Sequence, residues 1–235
     1  MGTVLRAKSA DRIRRSNAKA GEPAWDIARL FPLQGQWTEQ EYLALDTNQL
    51  IELSDGCLEF LPMPTPFHQF VVLFLFELLS KFVKARGLGD VLVAPLPVRL
   101  WPGKIREPDI ALFRSGRIPN RRRPPVGADL AIEVVSDDPE GRERDLKTKR
   151  EEYARARIPE YWIVDPQERK ITVLKLDGAE YRLHGEYREG DTATSAYFPG
   201  FAVDVKAVFA AGEGPRKGRK RPGNRTARGR GRKRL

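Results

Sequence analysis

The run Leu130-Ala131-Ile132-Glu133-Val134-Val135 constrains this chain more than any other stretch, because it sets one carboxylate in the middle of a strand that is apolar on both faces. Strands of that kind lie inside covered sheets, and a glutamate there is costly to desolvate unless it is paired, protonated or bound to a cation. A second run, Pro108-Asp109-Ile110-Ala111-Leu112-Phe113, opens on an acid. Alternation puts Asp109 on the side of Ala111 and Phe113, and Glu133 on the side of Ala131 and Val135. If the two strands are neighbours, both acids reach one edge of the sheet and can share Mg²⁺ or Mn²⁺, a hard cation that takes oxygen ligands and keeps several waters. A buried salt bridge is the other reading of Glu133.

Lys149 is the third member of this set. Residues 142–157 hold no Gly or Pro and place Leu146, Lys149, Tyr153 and Ala154 on one face, which predicts one amphipathic helix after the Glu133 strand. Lys149 then points at the sheet. A surface pair between Asp145 and Lys149 would contribute only a few tenths of a kcal/mol. Beside two inward carboxylates, an ammonium can instead orient a nucleophile and stabilise charge on a phosphoryl group.

The remaining elements follow from local signals. Thr38 followed by Glu39 and Glu41 predicts a short helix over 38–44, and strands at 49–53 and 57–61 flank a Ser54-Asp55-Gly56 turn. Apolar residues at helical spacing from His68 to Arg86 predict the longest helix, closed by Gly87. Runs rich in β-branched residues at 90–94, 97–101, 108–113, 129–135, 161–164 and 170–176 predict a sheet, with short strands or irregular cover beyond 181 and the folded part ending at Val208 and Phe209.

Charge divides the chain into three parts. Of 235 residues, 42 are Lys or Arg and 32 are Asp or Glu, for a net +10. Residues 1–20 supply five of those positive charges and residues 215–235 supply eleven, so the part between them carries −6. The organisation expected is a basic, disordered arm over 1–24, one domain over 25–211, and a disordered Arg/Lys-rich tail over 212–235. Basic blocks bind polyanions by releasing counterions, which makes Arg216, Lys217, Arg219, Lys220 and Arg221 candidate nucleic-acid contacts beside the loop arginines Arg121, Arg122 and Arg123. Solvated charge is the plainer reading of both. The longest apolar stretch, 70–79, is interrupted by Glu77 and falls short of the roughly 18 to 20 residues that span a bilayer. With one cysteine and no apolar leader, a cytoplasmic location is expected.

Taken in order, Pro108-Asp109, Glu133-Val134-Val135-Ser136, Asp145-x-x-x-Lys149-x-x-x-Tyr153 and Pro159-Glu160-Tyr161-Trp162-Ile163-Val164-Asp165 resemble the putative restriction endonucleases of the Uma-two type, within the PD-(D/E)XK nuclease superfamily. Glu52-Leu53-x-Asp55-Gly56 and His68 fit that family's N-terminal hairpin and first helix, and the likeness runs from Thr38 to about Phe209. It implies an α/β restriction endonuclease-like fold, a central mixed β-sheet flanked by helices with an N-terminal β-hairpin. It also implies metal ligation by Asp109 and Glu133, with Glu52 as a further acid near the metal. One departure stands out: Val135 occupies the place where the superfamily has lysine, and the amine is relocated to Lys149.

The function expected is a Mg²⁺-dependent endonuclease acting on DNA, with Asp109, Glu133 and Lys149 catalytic. A catalytically inactive nuclease-fold module that binds DNA or protein is the alternative. His68 reads either as a phosphate contact or proton relay or, more plainly, as a local hydrogen-bonding residue, and the Tyr153 hydroxyl can line the cleft. Cutting both strands calls for two sites, which a homodimer would supply.

Overall fold

The computed structural model describes residues 31–47 and 49–214; the predicted arm 1–24 and the basic residues at 216–221 lie outside them. Thr38 accepts the backbone N–H of Glu41 while the Glu41 carboxylate accepts that of Thr38, a reciprocal capping box that opens α1 (Glu39–Leu43). The predicted hairpin follows. β1 (Ile51–Ser54) and β2 (Cys57–Phe60) pair antiparallel about a turn in which Asp55 and Gly56 both take positive φ, 49° and 80°. Two such residues match the twist of the flanking strands, and Asp and Gly tolerate them best.

α2 (Pro66–Arg86) starts two residues before His68, because Thr65 supplies the cap and a proline is tolerated in the first turn. By length and composition it is apolar enough to cross a membrane, contrary to the estimate from the 70–79 stretch alone. Here Val71, Leu75, Leu79 and Val83 are buried in the core, each contributing roughly 1.5–3 kcal/mol relative to exposure.

β3 (Gly89–Val93), β4 (Val98–Trp101), β5 (Lys104–Arg106), β6 (Ile110–Arg114), β7 (Leu130–Val134) and β8 (Glu160–Asp165) come next, with a helical crossover between the last two. β9 (Lys170–Asp177), β10 (Glu180–Arg188), β11 (Thr192–Thr194) and β12 (Ala202–Asp204) complete the strands. The main sheet has the order β10-β9-β8-β7-β6-β3, in which only β7 and β8 are parallel. This is the mixed sheet expected. A second sheet, β2-β1-β5-β4, joins the hairpin to the body. Its strand β5 escaped sequence reading because it is three residues long and two of them, Lys104 and Arg106, are charged.

The predicted helix over 142–157 is three pieces. α3 (Pro139–Glu143) starts earlier, where Asp138 accepts the Gly141 N–H at 2.7 Å. A Cβ on residue 141 would lie 2.6 Å from that same carboxylate, so the close approach requires glycine. A π-helical turn (Arg144–Thr148) then leads into α4 (Lys149–Arg155). At the other end, the cover predicted beyond 181 is a nine-residue strand, a two-stranded ribbon and α5 (Val205–Glu213), which packs on α2.

Both faces of the main sheet are covered. Ile110, Leu112, Leu130, Ile132 and Val134 face α2 and α5, while Ala111, Phe113, Ala131 and Val135 face Tyr153 and Ala154 of α4. The alternation read from the sequence therefore holds. A third cluster, Tyr42, Ile51, Leu53, Leu58 and Ile105, sits under the hairpin.

Candidate active site

β6 and β7 are antiparallel neighbours with Ile110 opposite Ile132, and one further step of that register sets Asp109 opposite Glu133. Asp109 precedes β6 rather than lying within it. Its Oδ2 accepts the Val134 N–H at 2.8 Å and lies 3.2 Å from His68 Nε2. His68 Nε2 is also 3.1 Å from the Val134 carbonyl, and a carbonyl only accepts, so Nε2 carries the hydrogen. The imidazole thus staples the first turn of α2 to the edge of the sheet.

Glu133 is buried, and both its oxygens are engaged by α4. Tyr153 donates its hydroxyl to Oε1 at 2.5 Å, and Lys149 Nζ lies 3.0 Å from Oε2. The same ammonium is 3.2 Å from Asp145 Oδ1 and 3.9 Å from Glu52 Oε1. Glu52, fully buried on β1, is held from behind by Arg106 at 2.7 Å and by the backbone N–H of Glu107 at 2.8 Å. His68, Glu107, Asp109, Glu133, Asp145 and Lys149 line a cavity of about 420 Å³ together with the apolar Leu61, Pro62, Met63, Pro64, Phe67 and Pro95, while Glu52 and Tyr153 stand behind that wall.

Acid outweighs base in this cavity. Burial pushes Glu133 up to about 8 despite the attraction of Lys149, with Asp109 and Asp145 adding to the rise. Glu107 is pushed up to about 7, first by burial and then by Glu52. Lys149 would lose charge by burial, but Glu133, Asp145 and Glu52 hold it protonated well above the usual lysine range. For Glu52, burial is outweighed by Lys149 and Arg106, which keep its carboxyl below the usual range. Burial opposes charge on His68 as well, yet its bond to Asp109 raises the imidazole. Buried carboxyls whose proton affinity is raised in this way are what an added cation relieves.

The donor set fits a hard divalent cation of the Mg²⁺ kind, which needs only one or two carboxylates beside its waters. Asp109 and Glu133 would supply them, one just before β6 and the other on β7. Among the described residues, no three His, Cys, Asp or Glu side chains form a ready-made metal cluster. Glu107 Oε2 is buried on the cavity wall without a hydrogen-bond partner.

Comparison with known families matches residues 39–206 to Uma2, described as putative restriction endonucleases. The chain belongs to this family. Among solved structures it is similar to a putative nuclease of DUF820 from Anabaena variabilis ATCC 29413, with 18% identity, a TM-score of 0.62, and coverage of 77% of this chain and 99% of that one. At that identity the likeness establishes the fold. No curated protein matches the chain.

For this Uma2 chain, Asp109, Glu133, Lys149, Glu52, His68 and Tyr153 do converge. The surface-pair reading of Asp145 with Lys149 is corrected, since both side chains are 4% exposed. Val135 lines the cavity with an apolar side chain, and Lys149 brings the amine to it from α4. Arg121, Arg122 and Arg123 are exposed and outside the cavity wall, and Arg121 pairs with Asp90 at 2.9 Å. Sequence reasoning missed Glu107, although it stands two residues from Asp109 across an extended proline and shares its side by simple alternation. It also missed Arg106, whose strand was not recognised, and Arg144.

Proposed function

We propose that this Uma2 protein is a Mg²⁺- or Mn²⁺-dependent endonuclease that hydrolyses DNA phosphodiester bonds. What supports the reading most is a single geometry: Lys149 Nζ stands 3.0 Å from Glu133 while Asp109 lies opposite Glu133 on the neighbouring strand, all three on one cavity. Asp109 and Glu133 would hold the cation. When bound, the ion lowers the pKa of water and neutralises charge at phosphorus. The chain's own groups do the rest. Lys149, held protonated, donates toward the phosphoryl oxygens where charge develops and orients the attacking oxygen. Tyr153 and His68 are positioning residues that fix the Glu133 and Asp109 carboxylates. The net reaction adds water across one P–O ester bond.

The loop at Arg121, Arg122 and Arg123 and the basic residues from Arg216 to Arg221 would raise affinity for the phosphate backbone without choosing a sequence. Plasmid cleavage in Mg²⁺ or Mn²⁺ tests the whole reading. Asp109→Ala, Glu133→Ala and Lys149→Ala should each lower the cleavage rate by at least about 100-fold, the usual scale for lost transition-state electrostatics. Cleavage that survives both Glu133→Ala and Lys149→Ala rejects the assignment. DNA binding with no cleavage under either metal supports the inactive module instead.

A further inference from the structure

Arg144 opens the π turn and, among the described residues, is left without a partner. In an α-helix, residues five apart point about 140° away from each other, given 3.6 residues per turn. Here the backbone N–H of Lys149 bonds the carbonyl of Arg144, and the wider turn brings both residues onto one side, where both line the catalytic cavity. Such turns recur at functional sites.

Among the described residues Arg144 makes no ion pair, and its Nε is buried with no acceptor. Acids line the same cavities. Asp109, Glu133 and Asp145 share the cavity with it, and Glu59, Glu140 and Glu143 share the shallow hollow behind it. None of them engages it: Glu143 pairs with Lys147 at 2.9 Å, Glu59 with Arg106 at 2.5 Å, and Asp145 with Lys149 at 3.2 Å. An arginine left unpaired in a cavity lined by acids keeps its planar fork of donors free, and that fork matches the oxygens of a phosphate.

We propose that Arg144 is a substrate-binding residue that grips a phosphate of the nucleic-acid strand in the cavity, beside the phosphoryl group served by Lys149. This rests on the nuclease reading above, but its test separates the two. The probe for binding is a dinucleoside monophosphate, titrated by calorimetry into the full chain with Ca²⁺ present. Wild type should bind it, Arg144→Ala about 10- to 100-fold more weakly, the range for a lost hydrogen bond to a charged group, and Arg144→Lys in between. On the same dinucleoside with a neutral methylphosphonate linkage, wild type and Arg144→Ala should bind alike, an outcome that a merely structural role would not produce. Thermal unfolding of each variant checks that the fold is retained.

Phosphate-dependent binding by a wild type that cleaves nothing upholds Arg144 and rejects the nuclease. Cleavage by wild type with unchanged binding and cleavage in Arg144→Ala rejects Arg144 alone. A wild type that does not bind the dinucleoside monophosphate also overturns the proposal, as does a loss in Arg144→Ala that persists on the neutral linkage.

Discussion

Buried titratable groups, Glu133 foremost, set how this site responds to pH. Glu133 is raised from its ordinary 4.5 to about 8, chiefly by burial. Between those values the folded chain keeps a proton that the unfolded chain releases, so its contribution to stability is complete at low pH and is lost as pH rises toward 8. Glu107 and His68 are raised too and act with the same sign. The slope for one such proton is at most about 1.4 kcal/mol per pH unit. Without divalent cations, the midpoint of thermal unfolding should therefore be higher at pH 5.5 than at pH 8, and Glu133→Gln should flatten the difference. Added Mg²⁺ should do likewise by stabilising the charged form at pH 8. A pH profile identical in wild type and Glu133→Gln would show that Glu133 does not carry this proton. The acids that matter were legible because strand alternation is a strict rule: Asp109 and Glu133 had to share an edge once their strands paired. Arg144 was not legible, since α-helical spacing turns it away from Lys149.

That spacing is set one level up, by the element. The sequence supports a continuous helix across 142–157, and nothing in its composition marks a widened turn at Arg144–Thr148. Inserting an alanine after the exposed Thr148 should keep the segment helical. Far-ultraviolet circular dichroism should then be nearly unchanged, whereas Arg144 and Lys149, six apart in a regular α-helix, point about 120° away from each other. Plasmid cleavage should fall to background. Retained cleavage would mean that the widened turn does not set the site. The long elements were readable for the opposite reason. α2, β7 and β8 have strong periodicity or continuous apolar runs, while β5 is short and charged and α5 follows directly on β12 with no break in composition.

Across the whole molecule, Arg106 ties the small sheet to α4, the helix that covers one face of the large sheet. It is 1% exposed, forks onto Glu152 of α4 at 2.7 and 2.8 Å, and also holds Glu52 and Glu59 of the hairpin. Because Glu52 faces Lys149 and Glu152 lies three residues beyond Lys149 on the same helix, the four side chains close a ring through the site. Removing one member of a buried ionic group costs about 3–5 kcal/mol, since the acids left behind lose their counter-charge. Arg106→Met should lower unfolding stability in denaturant by that amount, and Arg106→Met with Glu152→Leu should recover part of it. If Arg106→Met costs no more than a surface substitution, the ring does not tie the small sheet to α4.

The site has another property that follows from Glu52 standing on the small sheet while Glu133 belongs to the large one and Asp109 directly precedes its strand β6. Its walls meet along a seam, as the two halves of a mould do. A slight parting at that joint would leave almost every helix and strand intact and still undo the chemistry, so on gentle heating turnover should fail before the body of the protein melts.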